Sequence, residues 1–274
     1  MTFNAYETSV AQGEPILLYD FSVGATHWRF TSADRTINYS GNSFAPAAIT
    51  RTAPVQSNDI RQQTMTVTVP RDCPINTLFS GYAPAQDVLL VVTALHYDDP
   101  DQQGIVDWTG RVTASTWKNS QIDLSCEPIY TSMQTVGLRR KFGVMCPHVL
   151  YGPACGLTAS SFAVSATLSA VSGVNVTSSG FVPGTGLSFL GGWIEWESAK
   201  GYLERRSITG LSGTTLTLNY GSPDLVNGLA VTAYPGCARN ISSCNSFGNS
   251  LNYGGQQFIP STNPMDGSFA NPVY

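Results

Sequence analysis

"RVTASTWKNSQIDLSC", Arg111–Cys126, contains two runs in which polar and small or apolar residues alternate. In the second run Ile122, Leu124 and Cys126 take every other position, as in a strand that buries one face. The polar residues Lys118–Gln121 separate the runs, which is typical of a hairpin turn. We therefore predict two antiparallel strands joined at 118–121, and a fold built from β-hairpins.

The same pattern recurs along the chain. "TMTVTVP" places Met65, Val67 and Val69 on one strand face, and "RSITGLSGTTLTLNYG" carries a hairpin signal at Ser212-Gly213. "SFAVSATLSAVSG" predicts a strand with Phe162, Val164, Ala166 and Leu168 on one face. The 16 prolines and 26 glycines break the sequence into short runs. This spacing predicts a mainly β chain, built as sandwiches or barrels.

One segment departs from the strand pattern. In "EPIYTSMQTVGLRRKF", Pro128 suits the first position of a helix, and Ile129, Met133 and Val136 recur at helical spacing. We predict a short helix at about 129–140 that joins two β-barrel or sandwich-like domains. The expected layout is a β domain at 1–127, a helix and linker at 128–145, a second β domain at 146–248 and an extended tail at 249–274.

Composition excludes several classes of function. Charged residues form 12% of the 274-residue chain, about half the usual share. The net charge of −4 provides no basic surface for stable nucleic-acid binding. The first residues lack the pattern of a secretory signal, and no apolar run approaches the ~20 residues of a membrane span. We expect no stable membrane insertion, and cysteines that are reduced when the chain is made.

Four of the six cysteines form two close pairs. Cys146 and Cys155 lie in "CPHVLYGPAC", and Cys237 and Cys244 lie in "CARNISSC". Turn-rich segments often present metal ligands, but the separations are wider than the knuckles of structural zinc sites. An iron–sulfur site, a zinc site, two disulfides and four free thiols all stay open on spacing alone.

The other two cysteines carry no sign of a site. Cys126 continues the inward alternation of its strand, and Cys73 lies at a strand end beside Pro74. A free cysteine in such a place usually behaves as a small apolar residue. We therefore expect structural roles for both.

An enzyme lacks a credible set of catalytic residues here. The histidines His27, His96 and His148 come with no nucleophile motif, and no phosphate-binding glycine loop is present. Asp98 and Asp99 are interpreted as a solvated turn. Glu195 and Glu197 flank Trp196 and would share the polar face of a sheet. We expect that the chain is not an enzyme.

The segment Pro235–Pro260, "PGCARNISSCNSFGNSLNYGGQQFIP", has a more specific pattern. It resembles the C-terminal signature of an iron–sulfur-binding minor tail protein family, the distal tail-tip hub proteins of lambda-like siphophages and gene transfer agents. The matching positions are Cys237, Cys244, Phe247, Gly248, Asn249, Asn252, Tyr253, Gly254 and Pro260. "FGVMCPHVLYGPACGL", Phe142–Leu157, is similar to the family's first cysteine pair. Looser similarity covers "HWRFTSADRTINYSGNSFAPAAITR" and "IVDWTGRV" in the first half.

This resemblance implies a structural protein of the virion tail tip. Copies of the chain, three in number, would form a baseplate ring that closes the tail tube. The ring would connect the distal tail protein to the central tip or fibre protein, with the tape measure protein as a further candidate partner. DNA would meet the protein only in transit through the lumen, and assembly would take place in the cytoplasm of the bacterial host.

The resemblance also implies a structural [4Fe–4S] cluster. The family's ligands match Cys146, Cys155, Cys237 and Cys244, with zinc as the lesser alternative. The cations Arg139, Arg140, Lys141 and Arg239 would offset the charge of the thiolates. Small residues beside the ligands, Gly152, Ala154, Gly156, Gly236 and Ala238, would let backbone N–H groups approach the sulfurs. The sequence departs from the family in having Gln256 and Gln257 before Phe258, which affects the packing of the tail.

A second interpretation is a secreted or surface β-sandwich binding module. Its four cysteines would form disulfides, and Trp193 and Trp196 would contact a glycan. The low charge favours this class, whereas the missing secretory signal and the segment around Cys237 count against it.

Overall fold

The computed structural model describes residues 3–9, 13–54, 64–81, 84–97, 99–134, 137, 140 and 142–259. The chain forms two compact units. The first unit comprises Met1–Val136 and Glu197–Glu204, and the second comprises Gly137–Trp196 and Arg205–Tyr274. Both are built mainly from strands, so the mainly β class is confirmed. The barrel or sandwich form and the domain boundaries at 127, 145 and 248 stay predictions.

Nine strands of the described part of the first unit form one sheet. Its order is β3-β4-β2-β1-β7-β8-β9-β6-β5, antiparallel except for the pairing of β2 with β4. A short helix, α1, covers Phe3–Glu7, and 3-10 helices cover Pro74–Leu78 and Ile129–Gln134. The strands are β1 (Pro15–Val23), β2 (Thr26–Thr31), β3 (Ile37–Tyr39), β4 (Asn42–Pro46), β5 (Thr50–Arg51), β6 (Met65–Pro70), β7 (Val88–His96), β8 (Ile105–Trp117) and β9 (Gln121–Pro128).

Alternation in the sequence explains the core of this sheet. Strand β6 buries Met65, Val67 and Val69, and β9 pairs with it so that Val67 lies opposite Leu124. Each such side chain stabilises the fold by roughly 1.5–3 kcal/mol when it is fully buried. The hairpin of β8 and β9, with its turn between Trp117 and Gln121, confirms the prediction from 111–126.

The loop Glu197–Glu204 belongs to the first unit although it joins two strands of the second sheet. Tyr202 is a buried member of the first core. Thr26 Oγ1 donates to Gly201 O at 2.9 Å, and Gln86 Nε2 donates to Leu203 O at 2.9 Å. Nothing in the local sequence pattern had indicated this placement, because the contacts join residues far apart in the chain.

Seven strands of the described part of the second unit form the other sheet, in the order β10-β16-β13-β14-β15-β12-β11. Phe181, Phe189 and Ile194 lie in its core. A second α-helix, α2, covers Ile241–Ser246, and 3-10 helices cover Ala159–Phe162 and Ser250–Asn252. The strands are β10 (Val164–Thr167), β11 (Ala170–Ser172), β12 (Asn175–Thr177), β13 (Ser188–Glu197), β14 (Leu203–Ser212), β15 (Thr215–Leu218) and β16 (Ala230–Gly236).

Two local predictions were wrong. The helix expected at about 129–140 is a 3-10 helix that ends at Gln134, and neither Gly137 nor Arg140 is helical. Its apolar residues Ile129 and Met133 are exposed, so burial against a core does not stabilise a longer amphipathic helix here. The strand expected across Phe162–Leu168 is a 3-10 turn to Phe162 followed by β10, because Ala163 N–H bonds back to Ser160 O.

The hairpin at Ser212-Gly213 is confirmed. Ser212 pairs with Thr215, and Gly213 has a φ of 57°, a left-handed conformation that glycine adopts readily. Within the residues that the structure describes, no helix is long and apolar enough to cross a membrane.

Candidate four-cysteine site

The four paired cysteines line one cavity of about 80 Å³ in the second unit. Cys244 is buried, and the other three are half-buried. Arg239, Asn240, Phe247, Asn249 and Asn252 line the same cavity. The structure therefore brings together all four residues that the sequence singled out.

The first pair is presented by two turns. Cys146 N–H donates to Arg239 O at 2.8 Å, which fixes the first turn beside the segment that carries the second pair. Cys155 N–H and Gly156 N–H both donate to Gly152 O at 3.0 Å. Gly156 has a φ of 75°, so the chain can reverse directly after the second thiol.

The second pair is held by the end of β16 and by α2. Cys237 follows Gly236, where an added Cβ would lie 2.1 Å from Leu190 O, so only glycine fits this close approach. Asn240 caps α2, since its side-chain oxygen accepts a hydrogen bond from Ser243 N–H at 2.8 Å. Cys244 lies on this helix and lines the cavity, and its thiol donates a hydrogen bond to Asn249 O at 3.1 Å.

Polar hydrogens approach two of the sulfurs. Arg239 N–H donates to Cys237 Sγ at 3.3 Å, and Ser243 Oγ–H lies 3.5 Å from the same sulfur. Asn249 Nδ2 lies 3.5 Å from Cys155 Sγ. The approach of Arg239 N–H, next to Ala238, is of the expected kind, whereas Gly156 N–H bonds to Gly152 O. Such contacts favour the ionised form of a thiol.

The motif after Cys244 forms one wall of the cavity. Asn249 Nδ2 donates to Cys155 O at 2.7 Å, and Asn252 Nδ2 donates to Asn249 Oδ1 at 2.7 Å. Tyr253 Oη donates to Val144 O at 2.5 Å. A Cβ at Gly254 would lie 2.5 Å from the ring of His148. Asn249, Tyr253 and Gly254 therefore tie the segment of the second cysteine pair to that of the first, and Asn252 holds the side chain of Asn249 in place.

Aromatic rings attach this region to the second sheet. Tyr151 lies edge-on to Trp193 of β13 at 5.4 Å and to Phe247 at 6.2 Å. Phe247 also packs against Phe162 at 5.1 Å, and Trp193 stacks on Tyr234 at 4.8 Å. Edge-to-face pairs of this kind contribute about 0.5–1.5 kcal/mol beyond the area they bury.

The electrostatics of the site reflect the closeness of the thiols. Burial raises the pKa of Cys244, and the charges of Cys237, Cys146 and Cys155 raise it further. Burial likewise raises the pKa of the Tyr253 hydroxyl, and the charges of Cys146, Cys244 and Cys237 raise it further. Four thiolates without a bound cation would therefore repel one another.

Four cations were expected near the cavity, and the structure describes two of them, Arg140 and Arg239. Arg239 lines the cavity itself. Arg140 hydrogen-bonds to Nε2 of His148, whose Nδ1 lies 3.1 Å from Asn252 O. Arg139 and Lys141 lie outside the described residues.

All six cysteines are free thiols in the structure. Cys73 and Cys126 are buried in the core of the first sheet, as expected for small apolar residues, and their structural roles stay a prediction. Burial raises the pKa of Cys73, and it raises the pKa of Cys126 to about 12. Burial in apolar surroundings thus disfavours the thiolate at both positions.

The other sequence candidates have structural surroundings. His27 Nδ1 lies 2.8 Å from Asp20. His96 is buried 3.1 Å from Glu7, in a geometry that makes no hydrogen bond. Glu195 accepts hydrogen bonds from Tyr234 and Arg205, as a residue of a polar sheet face would.

Two details of the sequence interpretation were wrong. Asp99 is buried rather than solvated and accepts hydrogen bonds from the N–H groups of Asp101 and Gln103, while Asp98 lies outside the described residues. Trp196 is only 2% exposed, so it cannot contact a glycan.

Two family models and one solved structure are similar to this chain. A family model described as "Baseplate hub protein, N-terminal attachment domain" matches residues 22–158, and one described as "Phage conserved hypothetical protein BR0599" matches residues 187–263. A chain of the virion of a native gene transfer agent particle shares the fold, with a TM-score of 0.74 and 17% identity over 96% of this chain and 95% of that one.

A relative from Xylella fastidiosa (strain 9a5c), described as "Uncharacterized protein", is 38% identical over 115 residues. That match covers 41% of this chain and 24% of the relative, so the chain spans only a part of that protein. The baseplate hub model, by contrast, matches half of the chain. This protein therefore belongs to the baseplate hub family, and it is a structural protein of a phage tail rather than an enzyme.

Proposed function

We propose that this chain is the distal hub of a phage tail tip and that Cys146, Cys155, Cys237 and Cys244 hold a structural [4Fe–4S] cluster. The convergence of these four thiols on one cavity is the observation that carries the proposal. The donor set suits it, because four thiolates are the usual ligands of such clusters.

Zinc is the lesser alternative in this proposal, because the family resemblance implies iron–sulfur ligands at these four positions. A zinc ion holds its four sulfurs about 2.3 Å from a single point. Across the described residues, no group of three or more Cys, His, Asp or Glu side chains is close enough together to hold a metal ion. The four thiols nevertheless line one small cavity, and this shared position is what supports a common ligand for them.

The surroundings would also stabilise the charge of a cluster. When bound to the four cysteines, a cluster would cross-link their segments, and its iron would offset the repulsion between the thiolates. Arg239 N–H and the Ser243 hydroxyl approach Cys237, and the Asn249 amide approaches Cys155. Hydrogen bonds to ligand sulfurs tune the affinity and the potential of such groups.

The role proposed for the cluster is structural. The lobe formed by 142–157 and 237–256 contains only one short α-helix and one 3-10 segment, Ser250–Asn252, and it is tied mainly by single hydrogen bonds. Segments with so little regular structure gain most from a cross-link between distant parts of the chain. The cluster would therefore hold the lobe in place on the second sheet.

In the assembled tail, we infer a ring of three copies that closes the tube between the distal tail protein and the central tip or fibre protein. The tape measure protein is a further partner in this proposal. Assembly would occur in the host cytoplasm, where thiols are reduced. The low charge of the chain suits a lumen through which DNA passes without adhering.

The test of the cluster is iron and acid-labile sulfide per chain, in protein purified without oxygen. About four of each are expected for one cubane. Cys146→Ser and Cys237→Ser should lose both, whereas Cys126→Ala, the matched control in the first core, should keep both. Zinc in place of iron, or disulfides between these cysteines, would refute the cluster. Electron microscopy of the protein with its distal tail partner would test the ring, and a monomer in that complex would refute it.

A further inference from the structure

Ser243 lies in the first turn of α2, beside the sulfur of Cys237. Its hydroxyl donates to Cys237 Sγ at 3.5 Å, and Arg239 N–H donates to the same sulfur at 3.3 Å. Ser243 and Cys237 are both half-buried, so water competes only in part for these contacts. Two hydrogen-bond donors from one short segment of the chain therefore meet at a single cysteine sulfur.

The side chain of Ser243 is held in place by two further hydrogen bonds. Its own N–H donates to Asn240 Oδ1 at 2.8 Å, which fixes the residue in the helix. Its Oγ accepts a hydrogen bond from Ala238 N–H at 3.3 Å. A hydroxyl that already accepts one hydrogen bond still has its own hydrogen to donate. The hydrogen of the Ser243 hydroxyl is therefore available to Cys237 Sγ.

The usual competing acceptor for a helical serine is already occupied here. A serine inside a helix often donates to the carbonyl oxygen four residues earlier, which for Ser243 is Arg239 O. That oxygen accepts Cys146 N–H at 2.8 Å and Tyr253 Oη–H at 3.4 Å. A carbonyl oxygen has two lone pairs, and two donors already use them. The sulfur of Cys237 is therefore the better acceptor for the Ser243 hydroxyl.

The contacts of the two cysteines in the second pair have opposite effects on the charge of the sulfur. Cys237 Sγ accepts two hydrogen bonds, and such contacts stabilise a thiolate. Cys244 Sγ instead donates to Asn249 O at 3.1 Å, a contact that stabilises the protonated thiol. Negative charge in this half of the site is therefore best stabilised at Cys237.

We propose that Ser243 is a positioning residue whose hydrogen bond to Cys237 raises the reduction potential of the cluster. This role rests on the proposed function, since it exists only if the four cysteines hold that cluster. Reduction adds one negative charge to the cluster and its thiolates. A hydrogen bond to a ligand sulfur therefore stabilises the reduced form more than the oxidised form.

The same hydrogen bond opposes the loss of an electron to dioxygen. In that transfer, one electron leaves the cluster and reduces dioxygen to superoxide. Stabilising negative charge at Cys237 makes the transfer less favourable. A tail protein leaves the reducing cytoplasm of the host with the virion, so protection against dioxygen matters to a cluster that holds the lobe together.

A redox titration of the full chain, purified without oxygen, tests this role. Dithionite supplies the electrons, and electron paramagnetic resonance measures the reduced cluster. At a fixed potential, Ser243→Ala should lower the ratio of reduced to oxidised cluster about tenfold, which is ~59 mV for a one-electron couple. Its iron and sulfide content should equal that of the unsubstituted protein. Ser243→Thr keeps a hydroxyl and should restore the potential. Ser242→Ala, at an exposed position of the same helix, is the matched control and should leave it unchanged.

The iron content separates a failure of this role from a failure of the cluster. An unsubstituted protein without iron would refute the cluster and the role of Ser243 with it. Equal iron content and equal potentials in all four proteins would overturn the role of Ser243 alone. Loss of iron from Ser243→Ala alone would also overturn it, because the hydroxyl would then be needed to form the site rather than to set its potential.

Discussion

Cys126 in the first core and Cys244 in the second unit are both buried cysteines, but their neighbours differ. Around Cys126 lie apolar side chains, and burial alone raises the pKa of its thiol to about 12. Around Cys244 lie three further thiols, whose charges add to the effect of burial. Burial therefore keeps the Cys126 thiol protonated, whereas Cys244 lies with three other thiols in the proposed ligand set. Residue type and exposure alone would not have separated them.

Replacement of each cysteine in turn gives the largest expected contrast. Cys244→Ser should abolish iron binding, because a cluster with three thiolates lacks a ligand. Cys126→Ala should keep the full iron content and lower the free energy of unfolding by about 1 kcal/mol, as for the loss of one small buried group. Iron analysis and urea unfolding measure the two effects. Equal iron loss in both variants would remove the distinction between the two cysteines.

Asn249 tests whether the wall of the cavity supports the thiols. Asn249→Ala removes its hydrogen bonds to the carbonyl oxygen and sulfur of Cys155. Changes in groups that orient metal ligands typically lower metal affinity about 10–100-fold. Chelator competition should show this loss. Asn245→Ala, on the exposed side of α2, is the matched control and should leave the affinity unchanged.

At alkaline pH, the free energy of unfolding should contain a pH-dependent contribution from the Cys126 thiol. The pKa of Cys126 rises from 9.0 in the unfolded chain to about 12 in the folded one. Its stabilisation is complete below pH 9 and is lost as the pH rises towards 12, by about 1.4 kcal/mol per pH unit. Cys126→Ala should remove that part of the slope, as measured by urea unfolding at several pH values. Tyr19, whose pKa burial also raises to about 12, is unchanged in both proteins and sets the background. Identical slopes would show that Cys126 does not titrate in this window.

The smallest expected effect concerns the hydroxyl of Tyr253. Tyr253→Phe removes the hydrogen bond to Val144 O and the longer contact with Arg239 O. Loss of such a bond at a partly exposed site costs about 0.5–1.5 kcal/mol. Hydrogen exchange should become faster at 142–148, whereas exchange in β6 should not change. A uniform increase along the chain would indicate global destabilisation instead.

The strands were the most predictable part of this fold, because alternation in 65–70 and 121–128 reports local burial. The segment 129–140 was not predictable in the same way. Its apolar spacing is helical, but the surface that would bury Ile129 and Met133 is missing from the described residues of the chain. The placement of Glu197–Glu204 depends on contacts with distant residues such as Thr26 and Gln86, which a local pattern does not encode.

The candidate site was predicted unevenly. The spacing of the cysteines left four kinds of site open, and the resemblance around Phe247–Gly254 selected among them. What the sequence pattern did not provide was a role for each motif residue. Asn249, Asn252 and Tyr253 act through hydrogen bonds to carbonyl oxygens and to each other, and such contacts become visible only when the loops are assembled.

The loop Glu197–Glu204 has a consequence for how this gene can be recombined. The first core includes Tyr202, and the chain enters and leaves the first unit at this loop, so no continuous stretch of sequence encodes that unit. A crossover between residues 136 and 137 would join the first sheet to a foreign version of this loop. Modular exchange between tails should therefore preserve the pairing of 1–136 with 197–204, and viable chimaeras should inherit both from one parent.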